Sequence, residues 1–198
     1  MVCPRLEAQR LTAGIAFTAA QHRVDAGFGR EVTSGLLGTF DLSAAVGRFA
    51  LGVEATGGTM TGADLPDRRL GEIRGSVAFM VRPWLALEAA AATRTYTVPV
   101  ARQRWTAGSI GSEVKVAFAG GHIEGVGRLM FTPLVSVTDL DARPSLSAAA
   151  GIDYRRGPAT VRLAYWLERS SFVAQGGVSR REQLSGLTLR FRVSRQVG

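Results

Sequence analysis

Apolar and polar side chains alternate residue by residue along most of the chain, and no other feature restricts the possible folds as strongly. In LTAGIAFTA, Leu11, Ala13, Ile15, Phe17 and Ala19 take every second place. Successive side chains of an extended strand point to opposite faces, so this spacing puts all five on one side. FDLSAAVGRFALGVEA lines up Phe40 and Leu42 before a turn and Phe49, Leu51, Val53 and Ala55 after it, with Asp41, Ser43, Arg48 and Glu54 opposite. EIRGSVAFMV sets Ile73, Val77, Phe79 and Val81 against Glu72, Arg74 and Ser76. WLALEAAAATR sets Leu85, Leu87, Ala89 and Ala91 against Glu88 and Arg94. SLSAAAGIDY, TVRLAYWLE and GLTLRFRV repeat the habit, with Asp153, Arg162, Trp166, Glu168, Arg190 and Arg192 on the polar side. Alanine-rich stretches carry helix propensity, but the alternation around them favours strand. About ten strands follow, with eight also open because residues 93–105 and 134–137 have indistinct ends. No run approaches the ~18 apolar residues of a membrane helix, so any membrane crossing must use strands.

The links between strands also alternate. Short ones fall at Ala45-Val46-Gly47, Arg82-Pro83-Trp84, Gly120-Gly121 and Arg156-Gly157-Pro158. Longer, polar ones span residues 22–33, 57–69, 98–104, 137–144 and 172–182. Short and long links in strict turn gather all tight turns at one end of the sheet, as an up-and-down meander does and a Greek key does not. Pro133 cannot donate to a closed ladder, and its place beyond ~11 residues from Gly121 sets it past a membrane-spanning strand.

The polar face is more than polar: it carries charges in matched places. A two-residue turn at Gly120-Gly121 makes opposed residues sum to 241, so Glu113 faces Arg128, and Lys115 faces Val126 with Glu124 on the diagonal. A three-residue turn centred on Pro83 sets Glu72 opposite Arg94, and a turn at Gly157-Pro158 sets Asp153 opposite Arg162. On a solvated face such pairs are worth only ~0–1 kcal/mol and need no matching. Inside a narrow lumen an unpaired charge is costly, and arginine forks pair with carboxylates. The expected arrangement is therefore polar inside and apolar outside. Its lumen is lined by Glu54, Glu72, Arg74, Glu88, Arg94, Glu113, Lys115, Glu124, Arg128, Asp153, Arg162, Glu168, Arg190 and Arg192. The alternative is a soluble, calycin-like barrel that binds an apolar ligand, with every face inverted. Trp84, Phe118, Tyr154 and Phe191 collect near the short-turn end, where an interfacial aromatic girdle would sit; the alternative is that Trp84 and Phe118 are ordinary core residues.

Composition narrows the function classes. The net charge is +8 and the pI about 11.1, yet only Lys115 is a lysine and basic tracts stop at pairs such as Arg68-Arg69, Arg155-Arg156 and Arg180-Arg181. Most arginines alternate with apolar residues, and no recognition motif accompanies the charge, so nucleic acid is not an expected partner. Cys3 is the single cysteine, which leaves no disulfide framework or metal cluster. MVCPRLEAQR has no apolar core of a signal peptide, and Leu6-Glu7-Ala8 reads as the remnant of an export leader. The expected organisation is a segment 1–9, a barrel domain 10–193 and a tail 194–198. GGTMTG and AGGHIEGVG lack the Lys-Ser/Thr ending of a phosphate loop, and no cofactor is expected.

From Arg10 to Val193 the chain resembles the small outer-membrane β-barrel proteins of the OmpA/OmpX type. The resemblance is one of pattern, and its most local element is the last strand. That family ends on polar-x-Gly-x-x-hydrophobic-x-aromatic, and Gly186, Leu189 and Phe191 occupy the last three fixed places here. Leu184 departs from the polar place, and SRQVG follows the aromatic. The resemblance implies a bacterial outer-membrane location, with membrane lipid and the barrel assembly machinery as partners. It also implies a structural or small-solute (anion) passage role rather than an enzyme, and leaves oligomeric state open.

Similar barrels do host enzymes, such as omptin-like proteases and lipid A deacylases, that use His with carboxylates or Ser. His22 and His122 are the two histidines. His22 with Asp25 opens the first long link, where Asp64, Asp67, Asp139 and Asp141 could converge as a hydrolase site; the alternative is that these are turn and solubilising residues. Arg10, Arg48, Arg155, Arg190 and Arg192 gather toward the short-turn end, either as a basic mouth for anions or as part of a charge network that plugs the interior.

Overall fold

The alternating runs become ten antiparallel strands in a computed structural model that describes residues 9–27, 29–63, 65–99, 101–118, 120, 122–138, 140–173 and 179–197. They are β1 (Gln9–Asp25), β2 (Arg30–Val46), β3 (Phe49–Gly62), β4 (Leu65–Arg82), β5 (Leu85–Val98), β6 (Ala101–Phe118), β7 (Ile123–Val137), β8 (Ser145–Arg156), β9 (Ala159–Ser171) and β10 (Arg181–Val197). Each strand pairs with its neighbours in sequence, and β1 pairs with β10 from Gln9↔Val197 to Asp25↔Arg181. The result is a closed, up-and-down barrel, and closure removes the unpaired strand edges an open sheet would expose. Cys3, Asp64, Gly121 and Asp139 lie outside the described residues.

The three hairpin registers read from turn chemistry are all present: Glu113↔Arg128, Glu72↔Arg94 and Asp153↔Arg162. At Gly157-Pro158 the glycine has φ +58°, and the proline ring holds φ near −65°, which is the order of signs in a type II′ hairpin. Two local details differ. The turn after β2 is Gly47-Arg48, with Gly47 at φ +58°. The turn after β4 is the pair Pro83-Trp84, and a bulge between Met80 and Arg82 supplies the odd residue assigned to a three-residue turn.

The larger correction concerns the long links. Three of the five are tight: β1 and β2 are separated by residues 26–29, β3 and β4 by 63–64, and β5 and β6 by 99–100. Polar composition mimicked loop there, but the chain stays extended because its inward positions still have a core to fill. Only residues 138–144 and 172–180 form longer connections. Pro133 sits at the β6–β7 bulge, opposite the shift between Gly108 and Ile110, and just past the last β7–β8 pair, Thr132↔Ser145. No ladder donor is needed from it. The strands also run beyond the expected barrel limits, since Gln9 pairs with Val197 and residues 194–197 continue β10.

Outward positions carry the exposed apolar side chains. Leu11, Ile15, Phe17, Leu51, Ile73, Leu129 and Leu163 are all about half exposed or more, whereas the intervening Ala16, Thr18 and Ala20 are buried. Trp84, Phe118, Tyr154 and Phe191 also face outward near the short turns. On β1 the apolar outward stretch runs from Leu11 to Ala19 and gives way to Gln21, Arg23 and Asp25. Eight steps of ~3.3 Å, shortened by a ~40° tilt, make a band about 20 Å tall, near the ~25 Å of membrane barrels. A soluble barrel would have the opposite facing.

Candidate functional site

Closing the sheet turns the charged face into a lumen. All fourteen charges assigned to it point inward and at least partly buried. Two expected cross-strand pairs form directly. Arg94 donates through Nε to Glu72, and Arg162 holds Asp153 through Nε and Nη2, the latter at 2.8 Å. Glu113 and Arg128 are partners in backbone register only. Glu113 instead binds Lys115 at 3.0 Å and Arg162 at 3.4 Å, while Arg128 reaches Glu88, which also takes Arg74 at 3.3 Å. Glu124 turns from Lys115 to Arg155 at 2.8 Å. The reason is curvature: inside a narrow cylinder long side chains converge on the axis and meet strands other than their neighbours. Arg94 shows this best, gripping Glu168 of β9 with Nη1 at 2.9 Å and Nη2 at 2.8 Å.

Asp41 belongs to this lattice, although sequence reasoning left it out. Its cross-strand partner on β3 is Glu54, a like charge, so hairpin arithmetic hides its true partners. Across β1, Asp41 and Arg192 flank Gly14 from its two sides. Arg192 Nε donates to Asp41 Oδ1 at 2.7 Å, and Arg190 bridges Asp41 and Glu54 at 3.7 and 2.7 Å. Gly14 makes this contact possible: a Cβ there would lie 2.2 Å from Asp41 Oδ2 and 2.7 Å from Arg192 Cγ. Arg190, Arg192 and Arg155 are thus paired within the network, while Arg10 and Arg48 are exposed at the rim.

Above the lattice the lumen is filled by a different material. Leu37, Met60, Leu70, Tyr96, Trp105, Val137, Phe172 and Leu184 are buried together at the loop end. Trp105 sits edge-on to Tyr96 and to Phe172, with ring centroids 6.3 and 5.4 Å apart. His22 stacks on Tyr96 at 5.0 Å and is 2% exposed. Its Nδ1 accepts from Arg68 at 2.8 Å, since a guanidinium can only donate, and Nε2–H then donates to Glu182 at 2.9 Å. Arg180 also binds Glu182. The expected pairing of His22 with Asp25 does not form, because residues three apart on a strand point to opposite faces. Asp25 faces outward and accepts from the Gly27 amide at 3.3 Å. Asp67 and Asp141 are exposed and do not converge on His22. His122 is exposed by the turn before β7. Among the described residues no cluster of His, Cys, Asp and Glu is placed to hold a metal ion.

Two consequences follow for the chemistry of the interior. The lattice and plug leave a cavity of about 200 Å³ between them, bordered by Thr18, Leu37, Trp166, Arg94 and Glu168. The ion pairs among the described residues involve ten arginine and lysine side chains and ten carboxylates, so with His22 neutral this network carries no net charge. The chain's excess of +8 is therefore carried outside it.

No family model matches the chain, and no curated protein matches it in sequence. Solved structures do match in fold. The outer membrane protease OmpT from Escherichia coli superposes with a TM-score of 0.65 at 9% identity, covering 98% of this chain and 99% of that one. The translocator domain of the autotransporter NalP from Neisseria meningitidis gives 0.52 at 12% identity, covering 94% and 88%. At such identities the likeness is one of architecture: it supports an outer-membrane barrel in general and does not single out the OmpA/OmpX type. The chain has the fold of an outer-membrane β-barrel.

Proposed function

We propose that this chain is an integral protein of a bacterial outer membrane whose barrel is shut, and that its role is structural rather than one of solute passage. The observation that carries this reading is the plug: Leu37, Met60, Tyr96, Trp105, Phe172 and Leu184 fill the loop end, with Met60 at 0% exposure. Below it each inward charge has a partner, and paired charges in a low-dielectric lumen hold one another in place. A solute would have to displace both layers. His22 is enclosed by Tyr96, Glu182 and Arg68, which supports a packing role over a catalytic one. The outward Leu189 and Phe191 of β10 are available to the assembly machinery that reads C-terminal strands.

The apolar outer belt predicts membrane fractionation and heat-modifiable mobility in detergent gels. Reconstitution into planar bilayers tests closure. The expected record is a silent bilayer; reproducible unitary steps from the purified barrel would replace the structural reading with a passage one. Recovery in the aqueous fraction would overturn the membrane reading itself.

A further inference from the structure

The net positive charge lies outside the ion-pair lattice, and part of it is gathered on one patch of the outer wall. Where β9, β10, β1 and β2 rise past the apolar belt, two rows of outward side chains run side by side. The lower row reads Arg169, Gln183, Arg23, Val32; the row above it reads Ser171, Arg181, Asp25, Arg30. The four arginines border a surface groove of about 440 Å³. Within each row the two arginines stand two strands apart, ~10 Å at the usual strand spacing. None of the four is in an ion pair among the described residues, and Asp25 is the one outward carboxylate between them. Glu182, which also borders the groove, has its carboxylate turned inward to His22 and Arg180.

The surroundings say what such a patch meets. In the row directly below Arg169 and Arg23 the same strands carry Leu167, Ser185, Gln21 and Ser34, and below those Tyr165, Leu187, Ala19 and Leu36. Tyr165, Leu187 and Leu36 are 52%, 50% and 62% exposed. One continuous wall thus offers hydrocarbon, then short polar groups, then guanidinium forks, in the order in which a membrane lipid offers acyl chains, linker and anionic headgroup. Guanidinium pairs bidentately with phosphate oxygens and is easily desolvated, whereas the ammonium of lysine acts as a point charge. A free anion would use the arginines and ignore the apolar rows. The loop end of such barrels faces the outside of the cell, which fixes the leaflet.

We propose that this four-arginine groove is a binding site for the phosphate groups of an anionic lipid of the outer leaflet, with the lipid's acyl chains on the Tyr165–Leu187–Leu36 surface. The proposal rests on the membrane reading above. Its reach is lateral: the barrel recruits and orders a specific lipid at one side of its wall, the β9–β10–β1–β2 side.

The test uses the full chain inserted in phosphatidylcholine nanodiscs and titrated with a diphosphorylated glucosamine lipid, with bound lipid counted by native mass spectrometry. The wild-type barrel is expected to retain this lipid in preference to its dephosphorylated form. Arg169→Gln/Arg181→Gln is expected to weaken retention about 25-fold, at about fivefold per arginine, the factor equivalent to ~1 kcal/mol for one basic side chain at an anionic surface. All four arginines are exposed or partly exposed and outside the ion-pair lattice, so the barrel should keep its heat-modifiable mobility. Equal retention of the two lipid forms, or unchanged retention by the double variant, overturns the proposal while leaving the membrane reading intact. Competition by inorganic phosphate at the lipid's own concentration overturns the lipid assignment in favour of a plain anion site. Failure of the chain to enter nanodiscs overturns both.

Discussion

Arg94→Met removes one cation and leaves two buried carboxylates. Arg94 donates from Nε to Glu72 and from Nη1 and Nη2 to Glu168, and the three side chains are 14%, 14% and 23% exposed. Methionine matches the arginine stem as far as Nε, so the packing of the stem is retained and what is lost is the guanidinium with its charge. Breaking a buried pair by deleting one partner costs ~3–5 kcal/mol, chiefly because the surviving charge stays desolvated. Residual exposure of the two carboxylates pulls the expected loss toward the lower end, about 3 kcal/mol. Arg94→Met/Glu168→Gln removes the more remote carboxylate's charge as well and is expected to recover about half of that. Urea unfolding of the barrel in phospholipid vesicles, followed by tryptophan fluorescence, reads both through the shift in midpoint at unchanged slope. A single-variant loss under about 0.5 kcal/mol, with no recovery in the double, would mean that the lumen solvates charges as bulk water does, where such pairs are worth ~0–1 kcal/mol. The inward lattice would then not hold the barrel together.

Other perturbations address other layers of the molecule. Trp105→Ala/Phe172→Ala takes away both partners of the edge-on aromatic contact in the plug, and unitary conductance should appear in planar bilayers that the wild type leaves silent. Gly14→Ala should lower the unfolding midpoint by an amount equivalent to ~2 kcal/mol, because its Cβ meets the Asp41 carboxylate and the Arg192 stem; Gly127→Ala, with nothing within 4 Å, should be neutral or slightly stabilising. Gly157→Ala forces a side chain to φ +58° and should cost ~1 kcal/mol in the same assay, with the β8–β9 register kept. His22→Ala opens a hole beneath Tyr96 and strands Glu182 with Arg180 alone; a drop in thermal stability without any new hydrolytic activity is the expected pair of results.

The sequence by itself determined the strands and the register of the hairpins with short turns, and it favoured one facing over the other, because these depend on neighbours along the chain. Period-two alternation needs only adjacent residues to define two faces. A turn such as Gly157-Pro158 sets the pairing of the two strands it joins, so Asp153 and Arg162 could be placed opposite each other from residue numbers alone. Matched charges on one face then had a physical reason only inside. What tertiary structure alone decided depends on closure. Asp41 finds Arg192 151 residues away, across Gly14, and Arg94 finds Glu168 74 residues away, because the cylinder brings distant strands to one axis. His22 meets Glu182 160 residues on for the same reason, at the seam where β1 joins β10. The plug was equally hidden. Met60, Tyr96, Trp105 and Leu184 share the inward parity of the charged positions, but stretches rich in Thr, Arg and Asp around them read as loop. Only the extended barrel, whose inward positions must be filled by something, makes them a core.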